Sequence, residues 1–220
     1  MHCITIESIL IIIVKKILKM IEQKFRNYYQ RVLVDPLIRC LNHRITPLTI
    51  TWLSGVSGLL FIPFLLMNRP LIAVVFLVLS GYLDTLDGSL ARFQNSSSDF
   101  GSAMDIIMDR IVEFAAIFAL YLVNPSARSL AAILMLGSIL LCITSFLVVG
   151  IFSNNTSHKS FHYSAGLMER AEAFIFFIAM ALCPTYFNSL AWIFCCLVCL
   201  TALIRLAEFK QSQSTTQLSR

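Results

Sequence analysis

Of the twelve acidic residues in this 220-residue chain, six fall between Asp84 and Glu113, and four form two close pairs, Asp84 with Asp87 and Asp105 with Asp109. Separations of three and four residues put both members of a pair on one face of a helix. Two such helices, joined by the short polar turn 93–99, would face each other and gather four carboxylates in a small volume. Left alone these groups repel one another, whereas bound divalent cations keep them ionised and offer positive charge to phosphate oxygens. An all-oxygen donor set favours Mg2+, Mn2+ or Ca2+ over zinc. A pair of such ions can clamp the attacking and leaving oxygens of a displacement at phosphorus. The residues by themselves point to metal-assisted phosphoryl chemistry on an amphiphile, with a cation transport site as the alternative of a different class.

The neighbours of the acids suit a phosphate-bearing ligand. Gly88 and Ala91 follow Asp87 on the same helix, and Gly101 precedes Asp105 by one turn, which lets a nucleotide approach the backbone. Small residues also serve ordinary helix packing in membranes, and that reading stays open. Arg92 offers a planar fork for a diphosphate oxygen, or snorkels to the interface.

The elements that must carry these residues are set by composition. The chain is 58% hydrophobic and 13% charged, against about 25% charged in an ordinary soluble domain. A bilayer core about 30 Å thick takes roughly 20 apolar residues per helix. Segments 48–67, 71–90, 100–123, 129–152, 167–183 and 187–206 meet that need, predicting an all-α integral membrane fold with six transmembrane helices. Asn68-Arg69-Pro70, Asn124-Pro125-Ser126 and Pro184-Thr185 separate them on one side, and the polar stretches 93–99 and 153–165 on the other. Five of the six clustered acids thus lie inside predicted spans, where insertion of one Asp costs about 2.5–3.5 kcal/mol and demands compensation.

Before the first span stand Lys15, Lys16, Lys19, Lys24, Arg26, Arg31, Arg39 and Arg44, so this segment and both termini are expected in the cytoplasm, with Arg69 and Arg128 outside. Within 21–41, apolar residues recur at helical spacing between basic ones, describing an amphipathic helix in the membrane interface that Pro36 kinks or interrupts. The chain divides into a basic interfacial segment (1–45), a membrane domain (46–210) and a polar tail (211–220). The apolar run 9–14 is too short to span, and its lysines follow it, unlike a secretory signal; Met20 is an alternative start of translation. The seven cysteines lack zinc-site spacing and read mostly as small hydrophobes, and no nucleic-acid partner is expected.

Read as it stands, Asp84-Thr-Leu-Asp87-Gly88-Ser-Leu-Ala91-Arg92, eight residues, then Gly101-Ser-Ala-Met-Asp105-Ile-Ile-Met-Asp109, the segment resembles the complete signature of the CDP-alcohol phosphotransferase family. Four Asp, two Gly, one Ala and one Arg agree over 26 residues without a gap. The Thr46-Pro47 start of the first span and the six spans also look like the family, although Leu48 stands where an amide or acid often follows that proline. The resemblance implies that Asp84, Asp87, Asp105 and Asp109 hold two Mg2+ or Mn2+ ions, with Asp109 also the general base. It implies that Gly88, Ala91, Arg92 and Gly101 line the CDP pocket. It further implies a CDP-diacylglycerol-type lipid donor, a small alcohol acceptor, release of CMP, a place in a bacterial inner membrane, and the homodimer that the family often forms.

Residues outside the signature must meet the acceptor. Arg110, Lys159, Arg170 and Arg205 would suit a phosphorylated alcohol such as inositol phosphate or glycerol phosphate. Glu169, Arg170 and Glu172 could instead form charge pairs at a helix end. His158 and His162, four apart with no third ligand nearby, read as a solvated loop.

Overall fold

The computed structural model describes residues 30–41, 45–152 and 170–218, and all regular structure among them is helical. A π-helical turn, Gln30–Val34, leads into α1 (Asp35–Leu41), the change of helix type falling just before Pro36. The remaining helices are α2 (Pro47–Leu59), α3 (Phe61–Leu66), α4 (Pro70–Phe93), α5 (Asp99–Val123), α6 (Pro125–Phe152), α7 (Arg170–Leu182) and α8 (Phe187–Leu218). The segment 211–218 continues α8 as helix. Residues 1–29, with Met20, and 153–169, with His158, Lys159, His162 and Glu169, lie outside the described residues.

Among the described residues, four stretches are long and apolar enough to cross a bilayer: Pro47–Leu66, Pro70–Phe93, Pro125–Phe152 and Pro184–Gln211. The chain is an integral membrane protein. The predicted span 100–123 corresponds to α5, 25 residues long but loaded with charge in its first half, and 167–183 to α7, of which thirteen residues are described.

Local chemistry explains the breaks. Pro63 has no N–H and its ring crowds the carbonyl four residues back, Leu59, where α2 stops and α3 takes over. Asn68 takes a left-handed φ of 56°, and Arg69 N–H reaches back to the Phe64 carbonyl at 3.0 Å, a helix-ending motif that Pro70 follows as the first residue of α4. The same device ends α4: Asn95 has φ 50° and Ser96 N–H donates to the Ala91 carbonyl at 3.0 Å. Three residues later Ser98 caps α5, its Oγ accepting from Gly101 N–H at 3.0 Å. This tight, doubly capped turn reverses the chain between the two acid-bearing helices, and α2 packs against both of them.

In lipid there is little hydrophobic gain from pressing helices together, so close packing and buried hydrogen bonds must hold them. Helix α2 supplies both. Thr51, Ser54 and Ser57, three residues apart, point at α4: Ser54 Oγ donates to the Ser80 carbonyl at 2.8 Å and Ser57 Oγ to the Phe76 carbonyl at 2.9 Å. Its glycines meet α5, where a Cβ on Gly58 would lie 2.5 Å from Val112 and one on Gly55 would lie 2.7 Å from the Met108 sulfur. Helices α6 and α8 pack along each other, and α7 bridges to α4 and α5. One cluster, including Phe61, Leu77, Ile117, Met135, Phe177 and Phe194, fills the bundle; a smaller one joins Val34 and Ile38 to Ile50, Leu86 and Leu90. Tyr82 OH also donates to the Leu33 carbonyl at 2.8 Å, tying the π-helical turn to α4.

Arg128, expected among the loop charges, instead folds into the bundle and is buried. It donates to the Leu120 carbonyl at 2.7 Å, near the end of α5, and to the Pro184 carbonyl at 3.4 Å, and its guanidinium lies 4.4 Å from the Phe187 ring centroid. Gly58→Ala is expected to lower the thermal unfolding midpoint of the purified protein in detergent, overpacking the α2–α5 contact by about 1–3 kcal/mol. Val112→Ala in the same chain should restore most of the loss.

Candidate active site

Asp84 and Asp87 lie in the C-terminal half of α4, and Asp105 and Asp109 in the second and third turns of α5. Oxygen atoms of Asp84, Asp105 and Asp109 lie within 4.8 Å of one another, an arrangement able to converge on one cation. Asp87 falls outside that triplet. It is buried, takes a hydrogen bond of 2.5 Å from Thr51 Oγ1, and lines a cavity together with Asp105. The four carboxylates expected to act together are therefore neighbours, three in a tight group and one beside it.

A divalent cation fits this group. The donor set is all oxygen, which suits Mg2+ or Mn2+. Asp105 Oδ1 is buried without a hydrogen-bond partner, and such an atom is costly unless something positive meets it. Arg170, from the start of α7, already supplies part of that charge: its Nη1 contacts Asp84 Oδ1 and Asp109 Oδ1. This guanidinium also lies 5.2 Å from the Phe174 ring centroid.

Two cavities adjoin the acids. The first, of about 450 Å3, opens between α2, the 94–98 turn and the acid-bearing helices. All four residues expected in the nucleotide pocket line it: Gly88, Ala91, Arg92 and Gly101. A Cβ on Gly88 would meet only Arg92 Nη1, at 3.6 Å, so this glycine faces open space and is no packing glycine of the kind seen at Gly58. Leu48 also lines the cavity, presenting no polar group at the position after Pro47. Arg92 is held by a hydrogen bond from Nη2 to Ser89 Oγ at 3.1 Å.

The second cavity, of about 260 Å3, has Asp109 in its wall with Arg110, Arg170 and Arg205, three of the four cations expected at the acceptor. Their surroundings differ. Arg110 Nη1 is 2.6 Å from Glu113, a buried acid of the same helix, and its Nη2 is 4.0 Å from Asp109. Arg170 is shared between Asp84 and Asp109. Arg205 is held through neutral groups, donating to the Cys142 carbonyl at 3.1 Å and Ser145 Oγ at 3.4 Å, with its guanidinium 5.2 Å from the Phe146 ring centroid.

Thr51 and the serines 96–98 line the first cavity without having been singled out from the sequence, and Glu113, the last of the clustered acids, lines the second. The hydroxyls at 51, 54 and 57 did carry a signal, a polar row at helical spacing within an apolar span. Glu113 had one too, lying four residues beyond Asp109 on the same helical face.

Residues 44–204 match the family model described as CDP-alcohol phosphatidyltransferase. The inner membrane protein YnjF of Escherichia coli is 33% identical over 168 residues, covering 73% of this chain and 81% of that one. A bifunctional IPC transferase and DIPP synthase of Thermococcus kodakarensis is 33% identical over 103 residues, 46% of this chain but only 24% of the larger relative. Among solved structures, the phosphatidylinositol phosphate synthase PgsA1 of Mycobacterium tuberculosis, crystallised with CDP-DAG bound, superposes with a TM-score of 0.66 at 19% identity, covering 80% of this chain and 93% of that one. The same enzyme in complex with manganese and citrate gives 0.65. The helical bundle, the paired aspartates and a family match spanning nearly all of the membrane domain converge: this chain belongs to the CDP-alcohol phosphatidyltransferase family, membrane enzymes of phospholipid synthesis.

Proposed function

We propose that this transferase passes a phosphatidyl group from a CDP-diacylglycerol-type donor to a small alcohol bearing an anionic group, such as inositol phosphate or glycerol phosphate, and releases CMP. One observation carries the reading: the acid cluster is the common wall of two cavities of different character. Asp105 faces the larger one, lined by the signature glycines and Arg92, while Asp109, one turn along α5, faces the smaller one with its three arginines. Donor and acceptor can thus approach one centre from separate spaces. That a structural neighbour was solved with CDP-DAG, and again with manganese, supports the choice of donor and metal.

The roles follow from position. Asp84, Asp87, Asp105 and Asp109 hold Mg2+ or Mn2+, two ions in the full site, which when bound neutralise the acids and polarise the diphosphate oxygens. Gly88, Ala91 and Gly101 keep the first cavity open for the CDP moiety, and Arg92 offers its fork to a phosphate oxygen. Arg205, with Arg110 and Arg170, draws the anionic end of the acceptor into the second cavity, and Lys159, outside the described residues, is a further candidate. Asp109 takes the proton of the acceptor hydroxyl. The hydroxyl oxygen bonds to the phosphorus that carries the lipid alcohol, and the bond from that phosphorus to the bridging oxygen breaks, CMP leaving with the electron pair. The acyl chains stay in the bilayer while the polar head reaches water and charge.

The same reading makes α5 and α7 membrane-crossing, six spans in all, with an interfacial amphipathic helix before them and both termini in the cytoplasm of a bacterial cell. Compensation of the α5 acids by Arg110 and Arg170 supports a crossing despite their charge.

Purified protein with Mn2+ or Mg2+ should release CMP from CDP-diacylglycerol when a suitable alcohol is supplied, with the lipid product identified by mass spectrometry across a panel of acceptors. Chelation by EDTA should stop release and added Mn2+ should restore it. Asp109→Asn should abolish release in a folded protein; an unchanged rate would remove Asp109 from the chemistry. Metal flux into proteoliposomes without CMP formation would replace the transferase with a transporter. Arg205→Gln should raise the KM for a phosphorylated acceptor roughly tenfold or more, as loss of a charged hydrogen bond of about 1.5–3 kcal/mol implies, while the KM for the donor stays near its original value.

A further inference from the structure

The hydroxyl row of α2 has one member unlike the others. Ser54 and Ser57 donate to backbone carbonyls of α4, contacts that fasten one helix to another. Thr51, nearest the acids, donates to a side chain, Asp87 Oδ2, at 2.5 Å. Thr51 and Asp87 are 5% and 4% exposed, so water does not compete for the bond. Nor does the threonine need Asp87 to satisfy its hydroxyl, because the Pro47 carbonyl one turn back lies at 3.2 Å. The shorter, charge-assisted contact is the one that serves the carboxylate.

We propose that Thr51 is a positioning residue for the cation site: its hydroxyl engages one oxygen of Asp87 and fixes the carboxylate so that the other is offered to the cavity Asp87 shares with Asp105. An aspartate side chain turns easily about its last torsion. Asp87 lies outside the Asp84–Asp105–Asp109 triplet and contacts no arginine in an ion pair among the described residues, so Arg170 does not orient it. Thr51 reaches it from a different helix, and the α2–α5 contact at Gly55 and Gly58 sets how near that helix comes. The proposal rests on the reading of Asp87 as a metal ligand. It extends that reading to a residue outside the signature.

The test is Mn2+ binding by the purified full chain without donor or acceptor, followed by the loss of the free Mn2+ signal in electron paramagnetic resonance. Thr51→Val should weaken binding by about ten- to a hundredfold, the usual effect of removing a hydrogen bond to a ligand, and Thr51→Ser should bind like the original protein. CMP release by Thr51→Val should need correspondingly more Mn2+ but approach the original kcat at saturation. Ser54→Ala, a neighbour in the same row, should lower the unfolding midpoint without moving the Mn2+ affinity, which separates positioning from helix packing. Should valine fail to fold, Thr51→Ala removes the hydroxyl without added bulk. Unchanged Mn2+ affinity in a folded Thr51 variant lacking the hydroxyl would overturn the proposal, as would an equal loss in Ser54→Ala. A protein that binds Mn2+ in this Thr51-dependent way yet releases no CMP would overturn the transferase reading and leave this one standing.

Discussion

Carboxylates brought together inside a helical bundle repel one another, and much of the local architecture answers that repulsion. Two unit charges 4 Å apart interact by about 4 kcal/mol at an effective dielectric constant of 20. Asp84, Asp105 and Asp109 bring oxygens within 4.8 Å of one another, a comparable separation, so the arrangement stands only where positive charge balances it. Arg170 supplies one balancing charge from α7, contacting two of the three acids. The free oxygen of Asp105 marks where more is wanted. A bundle that served only to cross the membrane would have no reason to retain this cost.

Holding the repelling groups in place falls to helix α2, which has no acid of its own. Its glycines let α5 approach to distances that any Cβ would forbid, and its hydroxyls engage α4 at Phe76, Ser80 and Asp87. Interhelical hydrogen bonds in membranes average only about 0.6 kcal/mol each. The two serine contacts fasten α2 to α4, and the threonine contact is the one that reaches an acid. The doubly capped turn at Asn95 and Ser98 reverses the chain between the two acid-bearing helices, and α2 and α7 pack against both.

The acid pairs were legible because Asp in an apolar run is chemically out of place, and spacings of three and four residues assign it a face. Helix boundaries were legible for a similar reason: Asn-Arg-Pro, Asn-Pro and Pro-Thr each break the backbone pattern, and the observed ends at Leu66, Val123 and Leu182 fall at or just before them. The role of Arg170 was visible only in part. Its charge stood out at the start of an apolar span, but its contact with acids 61 and 86 residues away depends on how α7 docks, which no local pattern records. Thr51 and Gly58 were the least visible. Hydroxyls and glycines are common in membrane helices, and what makes these two particular is the atom each meets on a neighbouring helix. Arg128 shows the same limit from the other side, a charge assigned to a loop that instead ties α5, α6 and the α7–α8 connection together.

The two cavities differ in the charge they leave available, and this bears on how selectivity could be divided between them. In the larger one the cation is Arg92, exposed at the mouth, and most of the surface is small residues, hydroxyls and backbone, a surface suited to a ligand recognised by shape and by hydrogen bonds. In the smaller one three arginines share the wall with Asp109 and Glu113, a nominal excess of one positive charge over the described lining. Arg110 spends its charge on Glu113, and Arg170 on Asp84 and Asp109, while Arg205 is steadied by neutral acceptors and an aromatic face. The field left over is that of a single guanidinium, Arg205, in the same cavity as Asp109, the proposed base. A small alcohol with one anionic group at its far end would be drawn in with that group toward Arg205 and its hydroxyl toward Asp109, so orientation follows from charge before any contact with phosphorus is made.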